Sequence, residues 1–385
     1  MLRSVEEIEA EKDALAPFQQ HPHADVDLYL TRFSNPEDDS RPCVVVVSRN
    51  GQVQGMVLAM IHTVALELRV GYKALCSPRV RMMSVAPGAV QGNLEGGAAE
   101  ALVEELLALL RRREADAVRM ADLDADSGLA MLARKLPSLL CRDYAPWSGP
   151  HYGMTLPESI DAFYRQMKEK HRRPLRKACR LLEEDKEDDS DTLRYRLFTH
   201  PGEVDQFAAA AEAIAQQSYQ RHLGSSYVDS PSMRHWLRAL AERGQWRGYV
   251  LYADQRPCAY WVGWLYGKTF YVYYAGRDPS CRDFNPGTGT ILFAKMIEDL
   301  CEHTAARVAD FGPGDYPYKR RFCDISKQTV TLLIFGPTPF GMGFNMARTV
   351  LSWAEKGAKA VLGRLGFLDR IKRFWRNRLA GTTSD

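Results

Sequence analysis

The chain has 385 residues and a formal net charge of +3. That length suits two domains of ordinary size better than one core, and so small a charge is not by itself a nucleic-acid footprint. The eight cysteines form no C-x-x-C pair and no metal-ligand spacing with the histidines, so neither a disulfide framework nor a metal centre is expected.

Met1–Glu7 is charged and lacks the apolar stretch of a signal peptide. No window of about 18 uninterrupted apolar residues exists for a membrane span, so the expected location is the cytoplasm. Residues 1–40 read as polar, partly helical and then loose. Arg41–Ser48 carries the β-branched run Val44–Val47; Asn50-Gly51 gives a hairpin turn, and Gln54–His62 returns. A Gly-containing stretch follows (Gly88, Gly92, Gly96, Gly97). Then come a helix over Ala98–Arg113, with Leu102, Leu106, Leu107 and Leu110 at helical spacing, and a strand over Ala117–Leu123.

The middle of the chain is its most charged part. Pro157–Lys170 reads as a helix beginning at Pro157, and Pro174 predicts a break before a second helix over Leu175–Glu184. Arg172, Arg176 and Arg180 fall four apart on one face. They are candidates to bind a phosphate-bearing acceptor; equally, the acidic run Glu183–Asp191 could neutralise them. A strand over Leu193–Thr199 and helices over Glu203–Gln220 and Ser232–Glu242 follow. Arg221 or His222 could reach an acceptor, though a residue at a helix end is as readily a cap.

Three β-rich runs come next, at Arg247–Ala253, Cys258–Tyr266 and Thr269–Ala275. Alternation puts Tyr271 and Tyr273 on one face and Tyr274 on the other, with Tyr273 a candidate for an acceptor cleft or for core. The Pro- and Gly-rich turn Asn285–Thr290 leads into a helix over Ile291–His303. A strand then ends in Asp310-Phe311-Gly312-Pro313-Gly314-Asp315, with Tyr318-Lys319 just behind. In the tail, two helical stretches over Gly341–Gly363 and Phe367–Leu379 carry Leu368, Ile371, Phe374 and Trp375 against Arg370, Lys372 and Arg373. Such a basic amphipathic segment either lies on an anionic membrane surface or packs on its own domain.

Strand–strand–strand–loop–helix–strand, closed by D-F-G-x-G-D-x-x-Y-K, resembles the acyl-CoA-binding core of GNAT-type acyltransferases. The closing stretch is similar to that of the CelD-like acetyltransferases and the FemABX peptidyltransferases. The resemblance implies an α/β fold of tandem GNAT-like units, each a mixed, mostly antiparallel sheet flanked by helices. These are an N-terminal unit over 1–150, degenerate or acceptor-side, and a catalytic unit over 151–338, with the basic tail over 339–385.

It also implies acyl-CoA, acetyl-CoA or longer, as co-substrate without a metal. The pyrophosphate would rest on the turn Arg282, Pro286, Gly287, Thr288, Gly289 and Thr290, at a helix N-terminus whose free N–H groups attract anions. The usual R/Q-x-x-G-x-G/A spacing is met here only when relaxed, whereas Pro286-Gly287 matches CelD-like relatives. Acyl transfer needs a base, an oxyanion partner and a proton for the thiolate. Asp310, Lys319 and Tyr318 are the candidates, Lys319 by likeness to a FemABX lysine beside an aromatic. Asp310 could equally cap the Gly312 turn, and Lys319 could be exposed.

The expected acceptor is a sugar- or envelope-related amine, in exopolysaccharide or envelope biosynthesis, with Arg172, Arg176, Arg221 and Tyr273 as acceptor-side candidates. Two alternatives stay open. One is FemABX-like transfer from aminoacyl-tRNA; the other is a non-catalytic scaffold held to a membrane synthase at the inner face through the tail.

Overall fold

The computed structural model describes residues 1–34, 39–71, 73–182, 193–218, 221, 226–281 and 286–364. Arg282, His222, the acidic run Glu183–Asp191 and the tail beyond Arg364 lie outside them. The strands in chain order are β1 (Arg41–Arg49), β2 (Gln52–Ala65), β3 (Leu68–Val70), β4 (Lys73–Cys76), β5 (Arg79–Gly92), β6 (Ala117–Asp124) and β7 (Trp147–Thr155). They continue with β8 (Leu193–Phe198), β9 (Trp246–Ala253), β10 (Arg256–Tyr266), β11 (Thr269–Arg277), β12 (Val308–Pro313) and β13 (Ile325–Phe335). The fold is mixed α/β, its strands mostly antiparallel and flanked by helices. The chain forms two compact units, one of Met1–His151 with the residues from Lys327 onward, the other of Tyr152–Ser326. The strand β13 thus returns to the first unit, where it pairs antiparallel with β6, and the helix Pro339–Arg364 follows it there.

In the first unit the order is β1-β2-β5-β6-β13. Asn50 (φ 52°) and Gly51 (φ 77°) make the two-residue turn between β1 and β2, the left-handed pair that suits a hairpin. The helix Gly97–Arg111 buries Leu102, Val103, Leu106 and Leu110 in one core with Val44, Met56 and Val57. It crosses over to β6, which runs parallel to β5 from Met82↔Ala117 to Val85↔Met120. The stretch around Gly88 is strand rather than turn. Val57 pairs with Val90 while Ala59 pairs with Val85, so residues 86–89 bulge from the ladder instead of reversing the chain.

In the second unit the order is β8-β9-β10-β11-β12, antiparallel except for the final β11–β12 pair. The crossover helix Thr288–His303 buries Ile291, Leu292, Met296, Ile297 and Leu300 with Tyr249, Leu251, Ala259 and Phe270 of the sheet. Its buried Asp299 accepts a hydrogen bond from Tyr249 Oη at 2.8 Å, so this buried carboxylate has a partner.

Three expectations are corrected in this unit. The first helix begins at Ile160, not Pro157, because Ser159 Oγ caps it by accepting from Ala162 N–H. Pro174 lies inside a continuous helix, Glu169–Leu181. The lost amide bond is outweighed by burial of Leu175, Ala178 and Cys179 against Phe163 and Tyr164. Cys258 and Cys281 are not idle thiols but a disulfide, with Cα atoms 5.9 Å apart across a separation of 23 residues. Among the described residues no helix is long and apolar enough to cross a membrane.

Candidate active site

The strands β11 and β12 pair at three positions only, Thr269↔Val308, Phe270↔Ala309 and Tyr271↔Asp310. Beyond them β11 runs on to Arg277 and β12 to Pro313 without further pairing, so the two strands part. A cavity of about 350 Å³ lies beside the end of β11 that runs on past this pairing. Ala275, Gly276 and Arg277 of β11 form one side, and Trp261 of β10 adds an apolar wall. Gly287, Gly289, Thr290 and Phe293, at the start of the helix Thr288–His303, form another. The short helix Pro317–Phe322 adds Tyr318 and Phe322.

The local sequence explains this shape. Gly287 is the N-cap, so the first amides of a 16-residue helix have no helical partners and face outward. A Cβ on Gly287 would meet nothing within 4 Å, and one on Gly289 would meet only Arg277 Cδ, at 3.9 Å. Both glycines therefore leave room for a ligand to approach the backbone. Gly276 has the opposite reason: a Cβ there would overlap the Tyr260 ring. The register of β11 slips at Tyr273, since Val262 pairs with Tyr274 and Gly263 with Val272. That bulge breaks the alternation expected for Tyr271, Tyr273 and Tyr274. It leaves Tyr273 exposed and packed on Trp264 at 4.5 Å and on Tyr274 at 4.6 Å between ring centroids.

Of the residues singled out in the sequence, Gly287, Gly289, Thr290 and Tyr318 meet at this cavity. Pro286 immediately precedes the cap and Thr288 is buried in the first turn, neither in the wall. Tyr318 stands edge-on to Trp261, with ring centroids 5.5 Å apart, and burial pushes its phenol well above the ordinary range. It therefore stays a neutral hydrogen-bond donor.

Asp310 and Lys319 lie behind this wall. Asp310 Oδ1 accepts from Gly312 N–H at 2.7 Å, closing a turn whose Gly312 has φ 66°. Lys319 is buried rather than exposed, 2% accessible, and donates from Nζ to the carbonyls of Gly312 and Pro313, each at 2.9 Å. Between them the two residues fix the loop that presents Tyr318.

The acceptor-side candidates are held elsewhere. Arg176 pairs with Asp161 and lies 5.0 Å over the Tyr164 ring. Arg221 pairs with Glu212 at 2.8 Å and donates to Tyr227 O. Arg172 is half-buried on the helix Glu169–Leu181. Neither they nor Tyr273 line the cavity. Sequence reasoning missed Arg277, Trp261, Phe293 and Phe322. The first ends a strand next to the Gly turn, a position that could have marked it; the aromatics read as ordinary core.

Residues 156–320 match the model of the acetyltransferase (GNAT) domain. No curated protein matches the chain. Among solved structures, the chain is similar to the crystal structure of FemX, with a TM-score of 0.53 at 13% identity over 90% of this chain and 99% of that one. L-PGS from Bacillus licheniformis gives 0.49 at 12% identity, over 89% and 96%. A tandem GNAT protein from the clavulanic acid biosynthesis pathway gives 0.49 at 14%, over 84% and 93%. The likeness to FemX is one of fold. The match to the acetyltransferase (GNAT) domain, over residues 156–320, falls wholly within the second unit, the one in which β11 and β12 part.

Proposed function

We propose that the second unit transfers an acyl group from acyl-CoA to an amino group of a small acceptor. The observation that carries this reading is the cavity beside the end of β11, past its last pairing with β12 at Tyr271↔Asp310, at the N-terminus of the helix Thr288–His303, whose glycine cap supplies no side chain. Outward-facing amides and a partial positive charge suit a pyrophosphate. The apolar walls of Trp261 and Phe293 suit the pantetheine arm and a short acyl chain.

In the reaction, the acceptor nitrogen attacks the thioester carbonyl, the C–N bond forms and the C–S bond breaks. The proton lost by the nitrogen passes to solvent. Tyr318, kept neutral by burial, donates a hydrogen bond to the departing sulfur. Asp310 and Lys319 hold the Gly312–Pro313 turn that aims it. The likeness of the sequence to CelD-like enzymes suggests an acceptor amine on a sugar- or envelope-related molecule.

Thermal unfolding with CoA, acetyl-CoA and a long-chain acyl-CoA tests the donor. A ligand at about 100 times its Kd stabilises the fold by about 2.7 kcal/mol, a clear rise in Tm. No rise with any CoA species would remove this reading, and tRNA binding at low salt would then be measured.

A further inference from the structure

A second cavity, of about 340 Å³, lies beside Phe322. Four basic side chains line it, Lys168, Lys170, His171 and Arg321, together with Gln166. Phe322 also lines the donor cavity, and its ring stacks on Phe293 of that cavity at 4.8 Å between centroids. One aromatic layer thus separates the two spaces.

We propose that this second cavity binds a phosphate group of the acceptor, so that the substrate class is a phosphorylated or nucleotide-linked amine. The assignment of the phosphate to the acceptor rests on the acyltransferase reading; the anion site itself does not.

Three observations support an anion here. First, among the described residues no carboxylate forms an ion pair with Lys168, Lys170 or Arg321. The nearby carboxylates are engaged elsewhere: Glu169 pairs with Arg173 at 2.6 Å, Asp161 with Arg176 and Asp315 with Arg320. Second, Lys168, in the cavity wall, is the N-cap of a 13-residue helix, and no side chain caps the first amides of that helix. Third, His171 is pushed below its ordinary range by partial desolvation and then by Arg321, Lys170 and Lys168, in that order. The field at the site is therefore positive, and a bound dianion would reverse that shift. The Arg321 guanidinium sits 4.9 Å from the Phe322 ring centroid, a stacked pose that leaves its N–H fork free to bind phosphate.

The test uses inorganic pyrophosphate as probe, titrated calorimetrically into the full-length protein already saturated with CoA, which occupies the donor site. Binding is expected, weakened at least tenfold by Arg321→Gln and by the double change Lys168→Gln/Lys170→Gln. It should be unaltered by Arg320→Gln, whose arginine faces Asp315. Unchanged denaturant midpoints in these variants would show that the fold is intact.

No binding, or binding insensitive to both basic-site variants, would overturn the proposal. If CoA prevents pyrophosphate binding and 3′-dephospho-CoA permits it, the cavity holds the 3′-phosphate of the donor, which overturns the assignment to the acceptor. Pyrophosphate binding with these variant effects, in a protein that acetyl-CoA does not stabilise, would instead remove the acyltransferase reading and leave the anion site standing.

Discussion

The two units share an arrangement and use it differently. Each has an antiparallel pair with a bulge in its second strand, a crossover helix capped by glycine and a parallel strand, in the first β2, β5, Gly97–Arg111 and β6, in the second β10, β11, Thr288–His303 and β12. In the second unit a cavity opens beside the bulged strand. In the first, the chain's own N-terminal segment packs there. The His21 ring lies where a Gly88 side chain would be, Phe18 lies 3.0 Å from a Cβ placed on Gly92, and Pro22, Ala24 and Val26 are buried alongside. Element order therefore does not make a cavity; what fills the space beside the bulge decides it.

The comparison can be broken at its strongest point by filling the cavity. Gly289→Trp places an indole where the structure leaves space and should lower acetyl-CoA affinity more than 100-fold with little cost to the fold. Preserved acetyl-CoA stabilisation in a thermal melt would mean that the donor lies elsewhere. Next in size is Tyr318→Phe, which removes one hydroxyl from the wall. It should reduce acetyl-CoA turnover on an amino-sugar acceptor by roughly 10- to 100-fold and leave acetyl-CoA stabilisation intact. Unchanged turnover would make Tyr318 a wall residue only.

In the first unit the expected effects are on stability. Gly88→Ala forces a Cβ onto a left-handed backbone, φ 70°, and into the His21 ring. It should cost about 1–3 kcal/mol in denaturant unfolding and spare donor binding. An unaltered midpoint would mean that the N-terminal segment does not hold this place in solution.

The smallest effect is one of pH. Burial, and then the Arg32 cation, push His23 well below its ordinary value, so it is neutral when folded. The unfolded chain takes up a proton below about pH 6.5, so this contribution is complete above that value and is lost as pH falls toward the folded pKa. Stability should decline between pH 7 and 5.5 by at most about 1.4 kcal/mol per pH unit from this group, and less in His23→Gln. Parallel curves for the two proteins would exclude His23 as the source.

Much of the second unit was legible because local rules governed it. The three β-rich runs, the Gly turn and the helix after it are set by periodicity and turn chemistry, while Gly287, Gly289 and Tyr318 stood out through the resemblance to GNAT-type and CelD-like enzymes. The exposed alternative for Lys319 fails for a physical reason. A lysine followed by two arginines reads as surface, yet the turn at Gly312 offers two carbonyls that satisfy its ammonium in a buried place. The basic helix was also half legible. The four-residue spacing pointed to Arg172 and Arg176, but Asp161 and the Tyr164 ring take up Arg176. The cations that share a cavity come from positions 168, 170 and 321, which no single helix face connects.

By itself, the sequence determined the order of strands and helices, the Asn50-Gly51 hairpin and the glycine-opened turn before Thr288, because these depend on a few adjacent residues. Tertiary structure alone decided where β11 and β12 part, that Cys258 meets Cys281, that His21 fills the space at Gly88 and that Arg321 joins Lys168 and Lys170. Each of these is a meeting of residues distant in the chain. It is fixed by strand register and core packing, which local propensity does not contain.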